Sequence, residues 1–168
     1  MIDIKNLEII LDKLEHARMV QLAAVGNTIP VALDGAFKLN QLGIPAVAGD
    51  IWEAQAAYAF NLGPEDVVLF VSYSGATRDM LETLRAAKAA GAKIILLTHY
   101  EDSPGAAMAD VVLRCGAQES PLDSGSIPIK VAVLYVGEVL LLRYMLDDPE
   151  HTNEAQDRTS EAVAIKLI

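Results

Sequence analysis

The sequence predicts an α/β fold: a three-layer α/β/α sandwich with a five-stranded parallel sheet, in one domain spanning residues 1–168. Three observations predict it. Short apolar runs alternate with segments of helical periodicity, which is the signature of repeated strand–helix units. The run Val67-Val68-Leu69-Phe70-Val71 is apolar without a break, as a strand covered on both faces must be. A chain of 168 residues, 52% of them hydrophobic, suits a single core that needs no disulfide or metal to hold it.

The elements follow in order. Leu7, Ile10, Leu11 and Leu14 recur at helical spacing and put one apolar stripe on an N-terminal helix within residues 1–17. Met19 to Val25 is a strand that ends at Gly26-Asn27. A helix from Pro30 to Leu42 follows, with proline in its first turn and Gly43 just past its end. Ile44 to Ala48 is a short second strand. Ile51 to Asn61 is helical and stops at Leu62-Gly63-Pro64. After the Val67–Val71 strand, Arg78 to Ala90 is helical up to Gly91. Lys93 to Thr98 and Val111 to Cys115 are the fourth and fifth strands, and the polar stretch from Gly116 to Gly125 carries no element. An apolar helix from Ile127 to Leu146 ends at the acidic break Asp147-Asp148-Pro149-Glu150. Glu154 to Leu167 then forms a last helix, within 150–167.

Charge narrows the function. With 13 basic and 23 acidic residues the formal net charge is −10, and nucleic-acid affinity rests on clustered Lys and Arg. The chain alone is therefore not expected to bind DNA or RNA. An anionic ligand would have to be held by local dipoles and a few placed groups. The apolar stretch 127–145 is interrupted by Lys130, Glu138 and Arg143, which argues against a membrane span. The N-terminal segment is amphipathic rather than a secretory leader. Cys115 is the single cysteine, closing an apolar strand as a small buried hydrophobe, and a cytoplasmic setting is expected. The three histidines and the cysteine show no metal-ligand spacing, and His16 and His151 belong to helix ends. Gly26-Asn27-Thr28 is not a dinucleotide fingerprint, and no Gly-Lys-Ser/Thr follows a glycine loop. Neither a metal nor a cofactor is expected.

The segment that carries chemistry is Ser72-Tyr73-Ser74-Gly75-Ala76-Thr77, between the third strand and the next helix. Such a turn aims free backbone N–H groups out of the sheet's carboxyl edge, and the helix dipole favours an anion there. Ser72, Ser74 and Thr77 add hydroxyls, and Gly75 permits close backbone approach. The competing reading is ordinary helix capping. Three hydroxyls and a glycine at this spacing favour phosphate.

This Ser-X-Ser-Gly-X-Thr loop resembles the phosphate loop of the SIS (sugar isomerase) family, whose fold is Rossmann-like. Val25-Gly26-Asn27-Thr28 resembles that family's first glycine loop. Thr98-His99-Tyr100-Glu101-Asp102-Ser103-Pro104 with Ala109-Asp110 resembles the link between its fourth and fifth strands. Lys38 to Ile44, Glu119 to Lys130 and Arg158 to Val163 are similar to the sensor half of RpiR-type transcriptional regulators. In those proteins a DNA-binding domain precedes a SIS domain that binds a phosphorylated sugar, and residues 1–17 correspond to the connecting helix. The resemblance implies a non-catalytic sensor for a phosphorylated sugar or amino sugar. Its site would comprise Gly26, Asn27, Thr28, Ser72, Tyr73, Ser74, Gly75 and Thr77, with Ser124 and Ser126 adding hydroxyls. Pro121 to Ser126 departs from the pattern, since Asp123 stands where these regulators often carry basic residues.

The alternative is an aldose–ketose isomerase, which needs a base to move a proton between adjacent carbons. Glu53, His99, Asp50 and Glu119 are the candidates, with Glu53 and His99 foremost. The helix 127–146 is apolar on nearly every side and must be buried. The resemblance implies that much of it packs against a second subunit, in a homodimer or higher homo-oligomer; burial inside one subunit is the alternative.

Overall fold

The computed structural model describes residues 3–116 and 127–164. Asp3 opens α1 (Ile4–Glu15) by accepting the Lys5 and Asn6 amides at 2.9 and 3.2 Å. The predicted stripe, Leu7, Ile10, Leu11 and Leu14, is the buried face of that helix. Then come β1 (Met19–Ala24), a 3₁₀ turn at Gly26–Thr28, α2 (Ile29–Gln41), β2 (Ala46–Ala48), α3 (Trp52–Phe60) and β3 (Asp66–Val71). The chain continues through α4 (Arg78–Ala89), β4 (Lys93–Thr98), a 3₁₀ turn at Ala106–Met108, β5 (Val111–Arg114), α5 (Ile127–Asp147) and α6 (Pro149–Ala164).

All pairings are parallel and the strand order is β2-β1-β3-β4-β5. Side chains alternate across the sheet. Val20, Leu22, Val67, Leu69, Val71, Ile95 and Leu97 join one core with α1, α2 and α5. Ala23, Val68, Phe70, Ile94 and Leu96 join a second core with α4 and Ala59 of α3. The sheet is thus covered on both faces, which is why β3 carries no polar residue after Asp66. Asp66 itself is fully buried at the amino edge, where its carboxylate meets Arg18 at 2.6 Å.

Most boundaries fall within one residue of the sequence expectation, and two differ by more, each for a local reason. β2 begins at Ala46 rather than Ile44, because Ile44 belongs to the end of α2. Its amide donates to Leu39 O at 3.0 Å, that of Gly43 donates to Asn40 O at 3.2 Å, and Gly43 takes φ +84°. This is a Schellman cap, closed by the buried pair Leu39 and Ile44. α6 begins at Pro149 rather than Glu154, because Asp147-Asp148-Pro149 starts a helix instead of breaking one. The Asp148 carboxylate accepts the His151 amide at 3.0 Å, and Pro149 fills the first helical position, where no N–H is needed.

Among the described residues no helix is long and apolar enough to cross a membrane. Nor, among them, do three His, Cys, Asp or Glu side chains gather as a metal would require.

Candidate functional site

The strand order reverses between β1 and β3: the chain leaves β1 toward one edge of the sheet and β3 toward the other. Connections on opposite faces part at such a point and leave a crevice beyond the carboxyl ends of the strands, where open α/β sheets bind ligands. Here it is a cleft of about 390 Å³, lined by Val25, Gly26, Asn27 and Thr28 after β1 and by Ser72, Tyr73, Ser74 and Thr77 after β3. Small-molecule sites range over roughly 300–1,000 Å³. Two loops far apart in the sequence form opposite walls of one cleft.

On the β3 wall, the Ser72 hydroxyl accepts the Gly75 amide at 3.2 Å and the Ser74 hydroxyl accepts the Ala76 amide at 3.3 Å. A hydroxyl that accepts in this way keeps its own proton to donate. Thr77 is the N-cap of α4, yet its side chain makes no capping bond. The first-turn amides of α4 therefore retain their donors, at the positive end of a 12-residue helix. Simple capping, the competing reading of this motif, does not describe Thr77. Among the described residues no Lys or Arg lines the cleft; the neighbouring Arg78 pairs with Glu82 at 3.1 Å.

The β1 wall differs in one respect. Gly26, at φ +65°, makes the turn, but the Thr28 hydroxyl donates to Val25 O at 3.0 Å and Thr28 is 4% exposed. Its proton holds the turn closed, and its side chain offers the cleft little surface.

The β3 loop is braced from behind by the chain after β4. Thr98, fully buried, donates its hydroxyl to Tyr73 O at 3.1 Å, and the His99 amide donates to the same oxygen at 3.1 Å. The Gly105 amide donates to Gly75 O at 2.8 Å. Gly75 has φ +61°, and a Cβ there would lie 2.1 Å from Ser103 Oγ and 2.6 Å from Ser103 Cβ. The glycine is required by this bracing, a reason different from the close ligand approach expected of it. The signal for the brace was Thr98, a hydroxyl residue directly after the apolar run Ile94–Leu97.

The described candidate bases lie elsewhere. Glu53 is exposed in the first turn of α3 and does not line the cleft. Asp50, just before that helix, is also exposed and outside the lining. His99 stands behind Tyr73, its ring stacked on the tyrosine at 5.0 Å and edge-on to Tyr100 at 4.9 Å. Ser124, Ser126 and Glu119 lie outside the described residues. Cys115 is buried and its thiol is pushed up to about 12 by desolvation, which makes it inert as a nucleophile.

With this geometry in place, comparison with known proteins identifies the family: the SIS domain model matches residues 13–143. The chain belongs to the SIS domain family. This SIS domain is 31% identical over 157 residues to an uncharacterized HTH-type transcriptional regulator of Caldanaerobacter subterraneus subsp. tengcongensis. The match covers 94% of the chain and 56% of that protein, so the chain spans little more than half the length of its relative. Among solved structures, the Vibrio vulnificus NanR protein complexed with ManNAc-6P superposes with a TM-score of 0.91 at 26% identity, covering all of this SIS domain and 63% of that chain. The sugar isomerase domain of an RpiR transcription factor from Sphaerobacter thermophilus superposes with a TM-score of 0.82 at 24% identity, over 95% of this domain and 88% of that chain. The second likeness speaks for the fold alone.

Proposed function

We propose that this SIS domain binds a phosphorylated sugar or amino sugar in the β1/β3 cleft and releases it unchanged, as the effector-sensing part of a transcriptional regulator. The observation that carries the reading is Thr77, an N-cap hydroxyl with no capping bond, beside the first-turn amides of α4 and the Ser72 and Ser74 hydroxyls. These donors suit a phosphate in a chain whose net charge of −10 repels anions at long range. Likeness to an HTH-type regulator supports the sensing role. The ManNAc-6P complex of NanR makes that compound the first ligand to try. Binding without conversion is favoured because the described residues lining the cleft include no carboxylate or imidazole. With 13 basic against 23 acidic residues, the domain's role in a regulator is to read the sugar and not the DNA.

The test is a thermal-shift screen with N-acetylmannosamine 6-phosphate, glucosamine 6-phosphate, fructose 6-phosphate and ribulose 5-phosphate. A ligand at about 100 times its Kd adds roughly 2.7 kcal/mol of stability, and each sugar should be recovered unchanged. Turnover of fructose 6-phosphate or ribulose 5-phosphate that disappears in Glu53→Gln or His99→Gln would replace the sensor with an isomerase. No shift with any of the four would remove the binding claim.

A further inference from the structure

β2 stops before β1 does. Its last rung pairs Ala48 with Leu22, whereas β1 continues to Ala24, paired on its other side with Val71. The Val20 amide points toward β2, donating to Pro45 O at 2.8 Å. By strand alternation the N–H and C=O of Ala24 face the same way, at a residue 1% exposed where β2 has ended. Left alone, both groups would be buried without partners.

The side chain of Gln55 on α3 meets both. Its Oε1 accepts the Ala24 amide at 3.0 Å, and its Nε2 donates to Ala24 O at 2.9 Å and to Gly49 O at 3.1 Å. The primary amide thus stands where the next peptide of β2 would stand. Gln55 is 2% exposed, and its own carbonyl accepts Gln21 Nε2 at 2.7 Å. Ala24 is the last residue before the Val25–Thr28 wall of the cleft.

We propose that Gln55 is a positioning residue for the ligand cleft. By completing the β1 ladder it fixes the direction in which Val25, Gly26 and Asn27 leave the sheet, and so the spacing between the two walls. The role rests on the phosphosugar reading for its binding consequence, but not for its structural one.

Two substitutions and two readouts test it. Gln55→Ala removes all three contacts. Gln55→Glu keeps an acceptor and one donor while its carboxyl is protonated, and no donor once ionised; burial raises such a pKa. N-acetylmannosamine 6-phosphate is titrated calorimetrically into wild type and both variants at pH 5.5 and pH 8, and affinities are compared with wild type at the same pH. Gln55→Ala should bind roughly tenfold more weakly at both pH values. Gln55→Glu should approach wild type at pH 5.5 and fall roughly tenfold behind it at pH 8. Hydrogen exchange supplies the ligand-free readout: the Ala24 and Gly26 amides should exchange at least about tenfold faster in Gln55→Ala, while Ile95 on β4 keeps its rate. Unchanged affinity in Gln55→Ala overturns the proposal, whatever the exchange shows. If the wild type does not bind this sugar phosphate, exchange decides alone: acceleration confined to Ala24 and Gly26 upholds the positioning role, and its absence refutes it. Should Gln55→Ala fail to fold, the pH dependence of Gln55→Glu takes its place, and a flat ratio to wild type sinks the proposal.

Discussion

Ser74 and Thr77 carry the clearest chemical commitment in the molecule, because their hydroxyls border the cleft with protons still free to donate. Each hydrogen bond to a charged phosphate oxygen is worth about 1.5–3 kcal/mol, so Ser74→Ala and Thr77→Val should each weaken sugar-phosphate binding roughly 10- to 150-fold. Calorimetry checks this, with melting temperature as a control, which should change little because neither side chain is buried in the core. Unchanged affinity in both variants would empty the loop of its role. That Ser72, Ser74 and Thr77 follow β3 at a strand-to-helix turn was legible in the sequence, because a buried apolar run gives way there to a hydroxyl-rich turn and then to helical periodicity. What the sequence did not disclose was direction. Thr28 and Thr77 are the same residue type after a strand, yet the Thr28 proton turns back to Val25 O. Gly75 reads as room for a ligand, yet that room is filled by Ser103. Gln55 gives no signal at all in an alanine-rich helix, since its partners are backbone atoms of Ala24 and Gly49, contributed by other parts of the chain.

At the scale of elements, α5 holds a testable irregularity. Gly137 sits inside this 21-residue helix, and a Cβ there would meet no atom within 4 Å. It borders an apolar pocket of about 50 Å³ between the sheet, α1, α2 and α5. Glycine in a helix interior costs about 1 kcal/mol relative to alanine. Gly137→Ala should therefore stabilise the fold by about that amount, seen as a higher denaturant midpoint at unchanged slope; a lower midpoint would mean that the space is already needed. Strand and helix identities were legible from periodicity, because buried parallel strands and amphipathic helices leave different apolar patterns. The ends of β2 and α6 were not. Ile44 is apolar in either setting, and only the amide it gives to Leu39 O assigns it to the helix cap. Asp-Asp-Pro reads equally as a breaker and as a helix start, and the Asp148 contact with the His151 amide decides it.

For the whole molecule, the question is what covers α5. Val133, Val136 and Leu140 pack into the core, while Val131, Tyr135, Leu142 and Leu146 are 58%, 64%, 56% and 72% exposed. Phe37 on α2 adds to the exposed apolar surface, and Lys38 ties α2 to α5 through Glu138. Exposed apolar side chains of this kind along one helix are buried most simply against themselves across a twofold axis. The expected outcome is a homodimer by light scattering at micromolar concentration, and dissociation or aggregation on Leu142→Glu; a well-behaved wild-type monomer would contradict it. Above all, we propose that the switch-point cleft receives a sugar phosphate. The most direct test is a titration of N-acetylmannosamine 6-phosphate and the other three sugar phosphates followed by amide chemical shifts. Saturable shifts concentrated at Gly26, Asn27, Ser74, Thr77 and the first turn of α4 are expected, with the sugar recovered unaltered. Saturable shifts that leave these residues untouched, or none with any of the four, would contradict it.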